Sequence, residues 1–153
     1  MSDNNQLKKE LFRKCSEFVE ARIESIQTAL DSVFQSKVAD MKSSVGDKYE
    51  TGRAMMHLEE QKLKTQMQRA KSDMEILSLI AKRSATDQIG PGNLVTTGQG
   101  KYFIAIGVGK VDVDGSLYYC ISAESPIGSL LCGKIVGDVI DFNGRKIEVV
   151  EIH

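Results

Sequence analysis

Asp47 and Glu50 are the residues in this chain whose type and spacing could do chemistry. They stand three apart at the start of a helical run, so both carboxylates project from the same end of it. Such a pair suits Mg²⁺, which is often held by only one or two protein carboxylates together with waters and substrate phosphates. A second metal in a site of that kind activates a water for phosphodiester attack. The same spacing is also a capping box, with Asp47 at N-cap and Glu50 at N3, and the two roles can coexist. Lys48 and Arg53 add positive charge beside the carboxylates, and Tyr49 is placed either to stack on a nucleotide base or to stand as a tolerated aromatic. Lys37, Lys42, Lys62 and Lys64 line a path for phosphates or form a solvated helix face. His57 reads as a surface residue rather than a proton donor.

What must position these residues is a pair of helices related by a palindrome. Leu63, Met67, Ala70, Met74, Leu77 and Ala81 follow the 4-3-4-3-4 spacing of a coiled-coil seam. Phe12, Ser16, Val19, Ile23, Ile26 and Leu30 repeat it in reverse, mirrored about Gly46-Asp47. Antiparallel helices need that symmetry if Ile26 is to face Met67 and Val19 to face Met74. The pattern predicts helices near 5–43 and 48–83 with a turn at 46–47, each roughly 55 Å long. Residues 1–86 would form a hairpin arm with its tip at 43–50. Phe18, Val33, Phe34 and Val38 offer a modest apolar stripe outside the seam.

Gly90-Pro91-Gly92 then breaks the helical pattern, and the period changes from 3.5 to 2. Leu94–Thr96 and Tyr102–Ile106 read as strands around a Gly98–Gly100 turn. Asp114-Gly115 and Asn143-Gly144 each sit between alternating apolar runs and signal two further hairpins. Between them, Ser125 as N-cap, Pro126 at N1 and Gly133 at C′ delimit a short helix. The fold class expected is therefore α+β, with a helical hairpin followed by an antiparallel β domain over 88–153 that carries one short helix.

The bulk numbers narrow the functional classes. A chain of 153 residues, 41% hydrophobic and of net charge −1, makes one or two small soluble domains. Residues 1–86 carry 15 Lys/Arg against 13 Asp/Glu, and residues 87–153 carry 5 against 8. Neither balance suits a sequence-specific DNA binder with a basic face. No apolar run is long enough for a membrane span, and the polar start MSDNNQLKKE lacks a signal-peptide core, so a cytoplasmic protein without a membrane partner is expected. Cys15, Cys120 and Cys132 are odd in number, have no metal-ligand spacing and read as buried reduced thiols. No Ser-His-Asp or Cys-His constellation, phosphate loop or nucleotide motif speaks for an independent enzyme.

At this point the residues resemble a known family. A helical hairpin followed by a small β domain, with Ser125-Pro126-Ile127-Gly128, Leu130-Leu131, Gly133-Lys134 and Val136-Gly137-Asp138 in succession, is similar to the bacterial Gre transcript-cleavage factors. The tip motif Gly46-Asp47-Lys48-Tyr49-Glu50 matches that family, and Glu59 and Gln61 fall in the same register. Thr51-Gly52-Arg53 departs from it, standing where the family usually has Asn-Ala-Glu.

The resemblance implies an FKBP-like C-terminal domain and a transcription elongation factor that binds RNA polymerase. It implies that the tip enters the polymerase's secondary channel, where Asp47 and Glu50 share Mg²⁺ with the polymerase and complete its active site for hydrolysis of backtracked RNA. Such a protein is not itself an enzyme; it activates cleavage by the polymerase. Lys48, Tyr49 and Arg53 would then lie near the nascent RNA 3′ end, and Glu124-Ser125-Pro126 would contact the channel rim. A monomer is expected. Two alternatives stay open: a non-cleaving modulator or inhibitor that occupies the same channel, favoured by Lys48 and Arg53, and a coiled-coil adaptor.

Overall fold

The computed structural model describes residues 2–42, 46–84 and 86–153, with the side chains of Ser2 and of residues 46–50 outside that description. Helix α1 spans Ser2–Lys42 and helix α2 spans Gly46–Lys82. Six strands follow: β1 (Leu94–Thr97), β2 (Gly100–Ala105), β3 (Gly109–Val113), β4 (Ser116–Ser122), β5 (Val139–Phe142) and β6 (Arg145–Ile152). A six-residue helix α3, Pro126–Leu131, separates β4 from β5. The expected α+β class holds: two long helices packed together, then a β domain with one short helix.

The helical backbone of α2 begins at Gly46, so the Gly46-Asp47 pair belongs to its first turn and not to the connection, as the palindrome had suggested. Acidic residues suit a helix N-terminus, which lets the helix start earlier than the mirror point. The connection itself, 43–45, lies outside the described residues.

By contact density the chain forms two compact units: Val19–Asp73, and Met1–Phe18 together with Met74–His153. Within the first unit, Ile26, Leu63, Met67 and Ala70 are buried, as the seam requires. Two inter-helix ion pairs set the antiparallel register: Lys37 Nζ to Glu60 Oε2 at 2.9 Å, and Arg22 Nη1 to Asp73 Oδ2 at 3.7 Å.

In the second unit the helix ends join the β domain. Here the seam departs from the expected spacing. Ala81 is exposed and Ile80 is buried in its place, while Leu11 is fully buried where Phe12 was expected. Helix ends that must cover a sheet as well as each other turn a different face inward. Ile80 lies against Gly92, where a Cβ would come within 3.1 Å of its Cγ2.

The sheet order is β3-β4-β2-β1-β6-β5. Both predicted hairpin turns form, with positive φ at Asp114, Gly115, Asn143 and Gly144 as type I′ turns demand. The sheet is mixed rather than antiparallel, because β2 pairs with β4 in parallel, Phe103 beside Cys120 and Ile104 beside Ile121. Strand β4, returning from its turn, inserts between β3 and β2 and so runs the same way as β2. One face of the sheet holds Val95, Ile104, Ile140, Ile147 and Val149 in a core closed by Leu131 of α3 and by Ile89. Phe103, Tyr118 and Cys120 belong to the opposite face, which meets the α1 end of this unit. No described helix is long and apolar enough to cross a membrane.

Candidate functional site

Two places carry the residues singled out by sequence, one in each compact unit. In the helical unit, Asp47, Lys48, Tyr49 and Glu50 have helical backbone, with 47 and 50 in the opening turn of α2. Their side chains, and hence the expected Mg²⁺ ligation by Asp47 and Glu50 and the expected RNA contacts of Lys48 and Tyr49, lie outside the described residues.

Arg53, also expected near RNA, is exposed and lines an open cleft of about 420 Å³ together with Lys37, Asp40, Met41, Met56 and His57. Asp40 approaches the opposite helix so closely that a Cβ on Gly52 would stand 3.7 Å from its Oδ2. Lys37 and Lys64 both turn to Glu60, at 2.9 and 3.4 Å. Glu60 is thereby held below the usual glutamate range, chiefly by the hydrogen bond from Lys37. Lys37 thereby ties α1 to α2, whereas the Lys64–Glu60 contact lies within one face of α2. The His57 ring lies 3.3 Å from the Gln61 amide and is exposed.

Met41, Met55 and Leu58 are each about two-thirds exposed, as is Phe34. Sequence reading missed Met41, Met55 and Leu58. The available signal was that Met55 and Leu58 fall outside the seam, which begins only at Leu63. Flexible apolar side chains of this kind adapt to irregular surfaces.

In the β-domain unit, the Glu124-Ser125-Pro126 corner is built by local hydrogen bonds. Ser125 Oγ accepts from Gly128 N at 3.1 Å, the expected cap, and donates to the Ser122 carbonyl at 2.7 Å. Ser122 Oγ in turn accepts from Glu124 N at 3.1 Å. Ser125 is thus committed to the fold and half-buried, while Glu124 and Pro126 are exposed and available to a partner. Ser122 and Gly128 were missed as members of this corner. A Cβ on Gly128 would stand 2.1 Å from the Ser122 carbonyl oxygen, so only glycine fits. A glycine inside a six-residue helix was the sequence signal.

The segment joining α2 to β1 is anchored to the same unit. Ile89 exchanges backbone hydrogen bonds with Gly133 and Lys134, and buried Asn93 accepts from Gly90 N through its Oδ1 and donates to the His153 carbonyl. No protein-family model and no curated protein matches the chain.

Proposed function

We propose that this protein is a Gre-like elongation factor that binds RNA polymerase and inserts the end of its helical hairpin into the secondary channel. The observation that supports this reading is that α1 ends at Lys42 and the antiparallel α2 starts at Gly46, with the backbone of Asp47 and Glu50 in its first turn. A hairpin end bearing two carboxylates on one helical turn can bring hard oxygen donors into a site too narrow for a globular domain. The donor set suits Mg²⁺, which takes one or two carboxylates and keeps waters and phosphates for its remaining positions. Bound there, the ion supplies charge stabilisation and an activated water to the polymerase's own hydrolysis of backtracked RNA.

The chain's residues take distinct parts in this reading. Asp47 and Glu50 hold the shared ion, Lys48, Tyr49 and Arg53 flank the RNA 3′ end, and Glu124 and Pro126 meet the polymerase while Ser125 keeps their corner in shape. The protein acts in the cytoplasm as a monomer, and the polymerase remains the enzyme. The test is to add it to a stalled polymerase–RNA complex with Mg²⁺ and look for shortened RNA 3′ ends.

A second reading is favoured by the exposure of Arg53 on the cleft it shares with Lys37. Cations this close to Asp47 and Glu50 in sequence offset the carboxylate charge that a divalent ion needs. The protein would then occupy the channel and slow the polymerase without cleavage. Binding with no RNA shortening at any Mg²⁺ concentration would select this alternative.

A further inference from the structure

We propose that the cleft where the ends of α1 and α2 meet the β domain binds a nucleoside polyphosphate, its base among apolar side chains and its phosphates on Lys8, Lys9 and Arg83. The cleft lies wholly within one compact unit and measures about 300 Å³, the lower end of the range for small-ligand sites. Its apolar wall is Phe12 from α1, Ile80 and Ala81 from α2, and Phe103 from β2. Phe12 is only half-buried, so part of its ring faces the opening. Gly92, at a φ of 92°, keeps this wall clear: a Cβ there would stand 3.1 Å from Ile80 Cγ2.

The charged side chains on the cleft are three cations, with no carboxylate among the described residues that line it. Carboxylates are not scarce in this chain, which has 21 Asp/Glu against 20 Lys/Arg. Yet Lys8, Lys9 and Arg83 form no ion pair among the described residues. Glu10, next to Lys9 in sequence, turns to Arg13 instead. Burial pulls the Lys8 ammonium below the usual lysine range, the direction expected for a cation that leaves water without gaining a counter-ion. Arg83 is fixed before any ligand arrives. Its Nη1 donates to the Pro91 carbonyl at 3.0 Å, and a Cβ on Gly90 would lie 2.6 Å from each of its terminal nitrogens. A guanidinium held this way loses little freedom when it takes up an anion, and its remaining N–H donors still point to be used.

The ligand class follows from these two halves. A single carboxylate would answer one of the three cations, and a long aliphatic tail would outrun a cleft this small. A di- or triphosphate presents several anionic oxygens, to which arginine binds as a fork and lysine as a point charge. A nucleobase supplies the flat face that stacks on an aromatic ring such as Phe12. Bound there, the nucleotide would bridge Lys8 and Lys9 of α1 to Arg83 of α2 and brace both helix ends against the β domain. This site is separate from Asp47 and Glu50, and its test needs no polymerase.

The full chain should be titrated with ADP, pyrophosphate and adenosine, without divalent ions so that the carboxylates of α2 take no part, and followed by calorimetry and thermal melting. ADP is expected to bind and to raise Tm by several degrees, pyrophosphate to bind more weakly, and adenosine more weakly still. Lys9→Glu, a change at an exposed position, should weaken ADP at least tenfold. Phe12→Leu should weaken ADP while leaving pyrophosphate as it was, and retained pyrophosphate binding shows that this variant is folded. Lys146→Glu, outside the cleft, should change nothing. No ADP binding at millimolar concentration would overturn the proposal, as would equal affinity in Lys9→Glu. Pyrophosphate binding as tightly as ADP, with Phe12→Leu without effect, would leave an anion site and no nucleotide site. A short single-stranded RNA binding through Lys9 where ADP does not would replace the nucleotide by nucleic acid and equally end this assignment.

Discussion

The Ser122 carbonyl oxygen and the α-carbon of Gly128 approach each other so closely that a methyl group on Gly128 would lie 2.1 Å from that oxygen. The contact closes the corner that presents Glu124 and Pro126, because the same carbonyl accepts the Ser125 hydroxyl. Gly128→Ala should therefore push α3 off the end of β4. The expected cost is about 1–3 kcal/mol, read as a fall in Tm of several degrees. Unchanged melting together with unchanged polymerase binding would show that the corner tolerates the displacement.

Glu124→Lys tests the partner surface without touching that scaffold. Glu124 is exposed, and it enters the corner through its backbone N–H to Ser122 Oγ. Surface replacements of this type stay within about 0.5 kcal/mol of wild-type stability. Polymerase binding is expected to weaken by several-fold, while the melting curve stays in place. Equal binding in a pull-down would remove Glu124 from the interface.

The Lys37–Glu60 pair gives the hairpin a pH dependence of known sign. Glu60 is held below the usual glutamate range, first by the hydrogen bond from Lys37. A carboxyl depressed in the folded state contributes stability that is present above its unfolded value and lost as pH falls through its folded value. Glu60→Gln should lower Tm by ~2 °C at pH 7, and the gap between variant and wild type should close as the pH falls below ~4. High salt should narrow it too, since the pair is partly exposed. A gap that persists at low pH would mean that Glu60 acts through packing instead of charge.

Asp47 and Glu50 distinguish helix capping from metal chemistry. Asparagine and serine serve well near a helix start, and glutamine can replace glutamate in a capping box. None of them brings the negative charge that a hard divalent cation favours. Asp47→Asn, Asp47→Ser and Glu50→Gln are each expected to leave melting and polymerase binding nearly intact while abolishing RNA shortening in a stalled complex. Variants that still shorten RNA at the wild-type rate would return both residues to the cap alone.

The sequence by itself determined the elements of this fold, because their signals are local. The 4-3 spacing of Leu63, Met67 and Ala70 repeats with the helical period, and these residues are buried where that period places them. Asp114-Gly115 and Asn143-Gly144 accept positive φ more readily than most residue pairs, so both hairpins could be read before the sheet was known. Ser125 and Pro126 fixed the start of α3 for equally local reasons.

The tertiary structure alone decided what depends on residues distant in sequence. The parallel pairing of β2 with β4 follows from insertion of a returning strand, which no periodicity records. Ile80 replaces Ala81 inside because the α2 end must pack beside Gly92 as well as along its partner helix. Lys37 looks like any other surface cation until the antiparallel register brings Glu60 of the other helix within 2.9 Å of it. Local backbone preference selects helices and turns residue by residue, whereas burial is settled only when separate elements compete for the same apolar surface.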